Sequence, residues 1–361
     1  MADLLVVGGG IVGLLSALEF TDRGCRVTVI DAPVRFPPAS WAGGGILSPL
    51  YAWRYPDAMN LLTVDAPERY RNLITRLRGR AGLVDEDLNE SGLWVAVETE
   101  KERADAMAWA RRWRLSCVAE RLSQRMPEAT DRDGVWFPTL GNLRNPRILK
   151  ALRAHLSAQG VRFEATPAVS LSPRAVGGAS VALADGRQWQ AARVLVSAGM
   201  WGSRLLSPLG LNLPLFPSKG EMLLYQLVPG RVPTVLLTEQ GYLIPRADGA
   251  VLAGSTLKDG DDSHYPTVPG RWALERMAAA LLPALAEERP VSHWAGVRPG
   301  CGRDWPYLGE VPGVPGVYAA LGHYRNGLVS APASAALLAA LMSGERPHLD
   351  PALYALPSSS S

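Results

Sequence analysis

The sequence predicts an α/β protein in which a unit built on a parallel sheet is interleaved with a unit built on an antiparallel sheet. Three observations carry this. Residues 3–31 read as strand, glycine turn, helix and second strand. Residues 193–199 read as a further apolar strand ending in Ala-Gly, and 215–297 alternate short strands with one helix.

Leu4–Val7 is a short apolar strand, Gly8–Gly13 a glycine turn, Leu14–Arg23 a helix and Cys25–Ile30 a second strand. The β-branched run from Val27 to Ile30 suits a strand buried on both faces, and Gly24 stands where a helix end favours glycine. Residues 32–56 are loop-like and rich in Pro and Gly, and a helix runs from Leu61 to Leu77. Strand Leu93–Val97 and the charged helix Glu100–Trp113 lie in a stretch, 91–139, that reads as inserted from the second unit. Helix Pro146–Gln159, strand Val161–Phe163 and a hairpin around Asp185 and Gly186 lead back to the first unit. Met222–Leu227, Tyr242–Pro245 and Val251–Ala253 read as antiparallel strands covered by helix Arg271–Leu282. Strand Val317–Leu321, the turn Gly322–Gly327 and an alanine-rich buried helix follow, and the tail Pro357–Ser361 is expected to be disordered.

The 361 residues are 47% hydrophobic and 20% charged, an ordinary globular balance with room for two domains. A net charge of +3 with Lys and Arg dispersed among Asp and Glu gives no basic stripe for nucleic acid. No run of about 18 apolar residues occurs, so no membrane span is expected. The N-terminus lacks the pattern of a signal peptide. The three cysteines, Cys25, Cys117 and Cys301, are far apart and odd in number, which reads as a reducing cytoplasm. The five histidines show no metal-ligand spacing, so no metal is expected.

Gly8-x-Gly10-x-x-Gly13 between strand and helix is the dinucleotide fingerprint. Its first glycine permits the turn, its second lets a pyrophosphate approach the backbone, and its third lets helix and strand pack closely. The phosphates then meet free N–H groups at the helix N-terminus, around Ile11 and Val12. Asp31, ending the second strand, can accept hydrogen bonds from ribose hydroxyls. Two features favour FAD over NAD: the run Gly43-Gly44-Gly45-Ile46, and the turn Gly322-His323-Tyr324-Arg325-Asn326-Gly327 that opens a helix toward a flavin edge. A flexible loop and a plain helix cap are the alternative readings of these two.

With Ser197–Trp201, Lys219-Gly220-Glu221, Tyr242-Leu243-Ile244-Pro245-Arg246, Trp294–Gly300 and Gly322–Gly327 in this order, the chain resembles the D-amino-acid oxidase family. Within it, the chain is most similar to the glycine oxidases of thiamine biosynthesis. The resemblance implies a Rossmann-like FAD-binding domain from residues 1–84, 142–214 and 298–361. An antiparallel-sheet substrate domain would come from 85–141 and 215–297. It also implies that Arg298 grips the substrate carboxylate, that Tyr242 assists, and that Arg325 is a second active-site arginine. FAD contacts would come from Gly8, Gly10, Ile11, Val12, Gly13, Asp31, Ala32, Ala39 and Ser40, then Gly44, Gly45 and Ile46. Ala168 and Val169 would hold adenine, with Gly199 and the stretch His323, Tyr324, Arg325, Asn326, Gly327, Leu328 and Val329 completing the set. Trp41 departs from the small residue that the family has there.

Arg298 suits its role chemically, since a planar guanidinium fixes a carboxylate at two points; an internal salt bridge is the bland alternative. For Tyr242 that alternative is an ordinary strand tyrosine. His323 is read as positioning backbone and not as a base, and Cys301 as a spectator thiol, so that FAD is non-covalent. The implied reaction converts a small amino acid, glycine first, to an imino acid, then to the 2-oxo acid and ammonia, with oxygen ending as hydrogen peroxide. The substrate's side chain would lie near Tyr242 and Leu257, and a homo-oligomer is implied. A dehydrogenase serving a quinone or partner protein, a nicotinamide enzyme and a non-enzymatic FAD-binding subunit remain open alternatives.

Overall fold

The computed structural model describes residues 3–33 and 35–358. The expected disorder of the tail lies, from Ser359 on, outside the described residues.

A six-stranded sheet forms the first layer. Its spatial order is Tyr307–Glu310, Val317–Leu321, Arg193–Val196, Leu4–Val7, Val27–Ile30 and Arg162–Glu164. All neighbours pair in parallel except Tyr307–Glu310. Leu4–Val7 sits at the centre with every residue buried, as its unbroken apolar run requires. Helix Ile11–Asp22 starts three residues earlier than expected, directly at the glycine turn. Gly24 follows its end at φ +75°, its N–H bonded to the Thr21 carbonyl.

The expected single helix over 61–77 is two, Asp57–Thr63 and Ala66–Leu77. Pro67 lies in the first turn of the second, where its missing N–H costs nothing. Helix Gly327–Ser343 packs against Ile11–Asp22 and both of these helices. Among the described residues it is the one helix, counted from Tyr324, long and apolar enough to cross a membrane. Its apolar surface is instead buried within the fold, the outcome the alanine-rich sequence suggested.

The second sheet has nine strands and is antiparallel apart from the Leu93–Ala96 and Val235–Thr238 pair. Its longest strand, Phe216–Gln226, begins six residues before the expected one and pairs with Ser292–Gly300 along its length. Strands Leu93–Ala96, Val118–Arg121 and Asp133–Phe137 of the inserted stretch complete it. Alternation divides this sheet into two faces. Leu223, Tyr225, Leu243 and Val251 meet Leu274 and Met277 of helix Val268–Leu281. Met222, Tyr242, Ile244 and Leu252 face the other way, into a cluster with Ile46, Tyr51 and Trp109, and Tyr242 and Leu252 line the cavity described below.

Candidate active site

A cavity of about 1500 Å³ runs from the end of strand Leu4–Val7 to the inner face of the nine-stranded sheet. At its first end the chain turns sharply at Gly8, whose φ of +110° lies in the region that glycine tolerates. A side chain at Gly13 would collide with the Gly8 carbonyl, so the third glycine holds the helix against the turn. A Cβ on Gly10 would meet only the Ser40 hydroxyl, 3.1 Å away, so this side of the turn stays open to a ligand. The first helical turn faces the cavity with N–H groups that have no partner within the helix. One of them, at Ile11, donates to the Ser40 hydroxyl (3.1 Å). Asp31 accepts from the Gly9 N–H (2.9 Å) and pairs with Arg153, which also donates to the Gly9 carbonyl. Its carboxylate is thus held at the mouth of the turn, beside the expected ribose position.

The loop Gly43–Ile46 crosses the middle of the cavity and is pinned from two sides. Asn145 donates to the Ser40 and Gly43 carbonyls (3.1 and 3.0 Å). Arg246 donates to the carbonyls of Gly44 and Leu143 (2.9 Å each) and to Asn142. Arg246 is buried without a carboxylate in ion-pair contact among the described residues. Burial, then the neighbouring charge of Arg144, pulls it down to about 9, so it remains a cation at neutral pH.

At the far end Arg298 reaches inward from strand Ser292–Gly300. It forms no salt bridge among the described residues; Nη2 donates to the Ser255 hydroxyl (2.8 Å) and Nη1 is buried without a partner. The bland reading of Arg298 as half of an internal ion pair is therefore not what the fold contains. A buried guanidinium nitrogen left unpaired is costly unless a ligand satisfies it. Tyr242, 7% exposed, directs its hydroxyl only to the Met222 sulfur (3.4 Å), a weak acceptor. His323 is buried with Nε2 unpartnered, and burial pulls its imidazole down to about 4. It is neutral at physiological pH. Cys301 packs under Gly322 and points its thiol at the carbonyls of Arg303 and Gly322 (3.0 and 3.1 Å), and burial raises its pKa.

The cavity brings together Gly8, Gly10, Ile11, Val12, Asp31, Ala32, Ala39, Ser40, Gly44, Gly45, Ile46, Ala168 and Gly199. The run from His323 to Val329 lines it too, as do Tyr242 and Arg298. Arg325 lines it while remaining exposed. Gly13 does not line the cavity, since its part is packing, and neither does Val169, 56% exposed. Leu257, expected beside the substrate, is 44% exposed and outside the lining; Trp294 stands there instead, on the same strand face as Arg298. Trp41 packs edge-on against Trp294, whose indole N–H donates to the Ala42 carbonyl (3.0 Å). Arg153, Asn145, Arg246 and Ser255 had no role in the sequence reading. Only Arg246 carried a signal, its place at the end of the Tyr242–Arg246 block.

The open glycine turn, the helix N-terminus that faces the cavity and the orphaned Nε2 of His323 fit a flavin dinucleotide, and the recess at Arg298 continues the same chamber. Such continuity defines an oxidoreductase whose cofactor and small substrate meet in one space. A family model described as FAD dependent oxidoreductase matches residues 3–341, and the chain belongs to this family, with FAD as its cofactor. It is 41% identical to a glycine oxidase of Pseudomonas aeruginosa, over 98% of each chain. A bifunctional protein ThiO/ThiG of Synechocystis is 29% identical over 94% of this chain and 51% of its own length. The crystal structure of glycine oxidase from Geobacillus kaustophilus superposes with a TM-score of 0.92 at 26% identity, covering 99% of this chain and 98% of that one.

Proposed function

We propose that the protein oxidises glycine and other small amines or D-amino acids, giving the 2-oxo acid (glyoxylate from glycine), ammonia and hydrogen peroxide. The observation that carries this reading is Arg298 on the wall of the chamber that holds the cofactor turn, bonded to Ser255 and to no carboxylate among the described residues. The relatives named glycine oxidase support the choice of substrate. Bound FAD supplies the two-electron acceptor that the side chains lack.

The chain's own residues do the rest by placement. Arg298 holds the carboxylate, Tyr242 exchanges its weak sulfur contact for a carboxylate oxygen, and Arg325 contributes a second cation. Gly8, Gly10, Ile11, Val12, Asp31, Ala32, Ala39 and Ser40 hold the dinucleotide end of the cofactor. Ala168, Val169 and Gly199 join them, with Val169 acting through its backbone. Gly44–Ile46 and His323–Val329 flank the flavin. No acid–base side chain is needed at the reacting carbon, because the amine's own lone pair supports loss of the Cα hydrogen. Residues 1–84, 142–214 and 298–361 make up the FAD-binding part, and 85–141 with 215–297 the substrate part. Arg298–Gly300 extend the substrate sheet from the first of these.

The three cysteines are free thiols, which supports a reducing cytoplasmic setting. A homo-oligomer and a place in thiamine biosynthesis are carried over from the family resemblance. The deciding experiment is glycine added to the yellow holoenzyme. Anaerobic bleaching, with one peroxide per glyoxylate once air is admitted, supports an oxidase. Bleaching without peroxide turns the reading to a dehydrogenase, and no bleaching by any small amine removes the enzymatic reading.

A further inference from the structure

Strand Phe216–Gln226 carries a second cluster of polar groups, back to back with the candidate active site. Gly220 lies under the Arg298 guanidinium on the cavity face, while Lys219 and Glu221 project to the opposite face. Both are buried, with side chains 4% and 5% exposed, and Lys219 Nζ lies 3.4 Å from Glu221 Oε1. Nothing in the reaction uses either group.

Their partners lie on one loop. Thr256 is paired to Glu221 through both backbone and side chain: the Glu221 N–H donates to Thr256 Oγ1 (2.8 Å), and the Thr256 N–H to the Glu221 carbonyl (3.3 Å). Eleven residues on, Thr267 donates its N–H and its hydroxyl to the two carboxylate oxygens of Glu221 (2.8 and 2.9 Å). Between these points Lys219 donates to the Ser263 hydroxyl (3.1 Å), with Asp261 at 4.0 Å. His293 closes the cluster with Nε2 2.9 Å from Glu221 Oε2. The loop is thus fastened at Thr256 to the backbone of Glu221, and further on, at Ser263 and Thr267, to the side chains of Lys219 and Glu221 on the same strand. Ser255, next to the first fastening, is the one protein group that holds Arg298 by a hydrogen bond among the described residues.

We propose that Ser255 is a positioning residue for Arg298, and that the Glu221–Lys219 clip sets Ser255. A hydroxyl bonded to Nη2 fixes the guanidinium plane over Gly220 at the cavity wall. The clip is buried because a loop held by exposed charges would be screened and free to shift. This inference rests on the reading of Arg298 as carboxylate anchor.

The test is a binding cycle on the FAD-loaded enzyme, with acetate as the probe, read by perturbation of the flavin spectrum. Ser255→Ala and Glu221→Gln should each weaken acetate about fivefold. The double variant should be no weaker than Ser255→Ala alone, because both changes act through one hydroxyl. KM for glycine should rise in Glu221→Gln while kcat holds. Lys219→Arg, which keeps the charge, should bind acetate as the parent does. Should Glu221→Gln fail to fold, Thr267→Val removes one fastening and takes its place in the cycle. Multiplying effects in the double variant overturn the proposal, as does unchanged acetate affinity in Glu221→Gln. Arg298→Ala serves as the control. Full acetate binding in that variant defeats the anchor reading itself, whereas loss there with no effect of Ser255→Ala defeats only this inference.

Discussion

The guanidinium of Arg298 lies over Gly220 of the adjoining antiparallel strand, in the space that a Cβ on residue 220 would fill. One absent side chain therefore decides where the cation rests. Gly220→Ala should push the guanidinium off its position without touching the cofactor turn. We expect acetate affinity to fall at least tenfold with FAD content unchanged. Parental affinity in this variant would show that Arg298 has another equally good resting place.

Arg298→Ala should cost about 2–5 kcal/mol of carboxylate binding, the usual loss when one member of a buried charged pair is removed. Arg298→Lys should recover only part, because an ammonium cannot make the planar two-point contact. Titration of both variants with acetate and glycine, following the flavin absorbance, measures the two losses. Equal affinity of the lysine variant and the parent would mean that charge alone, not geometry, is read.

At the other end of the chamber, Gly10→Val should abolish FAD binding, since its side chain would fill the open side of the turn where the pyrophosphate is expected. Asp31→Ala should weaken it by about 1–3 kcal/mol. The carboxylate also anchors Gly9 and Arg153, so part of that loss comes from a looser turn. Flavin content after desalting, and the Kd of the reconstituted apoprotein, report both. A valine variant that purifies yellow would place the phosphates elsewhere.

These two ends differ in how far the sequence reveals them. The Gly8–Gly13 turn is local: each glycine has its own steric reason within six residues, so the pattern predicts the geometry. The clip at Glu221 and the grip of Arg246 on Gly44 join residues 35 and 202 positions apart. No periodicity marks such contacts. Strand Phe216–Gln226 was underestimated because Pro217 and Gly220 interrupt the alternation of its first half, and pairing with Ser292–Gly300 overrides that weakness. The split of the 61–77 helix was legible in principle, since Pro67 signals a helix start.

His323 gives a pH prediction. Its imidazole is held down to about 4 in the folded protein, against a usual 6.5, because burial disfavours the charged ring. Between these values the unfolded chain binds the extra proton and the folded one does not. The contribution is complete above 6.5 and is lost as pH falls toward 4. By the size of the shift it is on the order of 3 kcal/mol. The Tm of the holoenzyme should therefore fall more between pH 7 and 5 than that of His323→Gln. Parallel profiles would assign the acid sensitivity to other groups.

The substrate ranking tests the whole site. With the carboxylate held at Arg298, the substrate has one end fixed, and its reacting hydrogen must face the cofactor. The space left for a side chain is then bounded by neighbouring walls of the sheet. Trp294 lies on the same face as Arg298, four residues along the strand, braced by Trp41 and by its bond to Ala42. Tyr242 and Met222 close the floor beside it. Two indoles and a buried tyrosine leave little room, so glycine and N-methylglycine should react best and bulky D-amino acids poorly. The same geometry imposes handedness. Carboxylate and amine fixed together allow only one of glycine's two Cα hydrogens to face the cofactor, and in a chiral substrate that direction accepts a single enantiomer. D-Alanine should react slowly and L-alanine hardly at all. Peroxide release over glycine, N-methylglycine and both enantiomers of alanine and phenylalanine gives kcat/KM for each, the quantity in which discrimination is defined. Trp294→Phe, which loses the indole N–H bond and some bulk, should raise D-phenylalanine relative to glycine. Phenylalanine outrunning glycine in the parent enzyme would mean that the indoles do not bound the side-chain space. A preference for L-alanine would instead reverse the direction from which the carbon is presented.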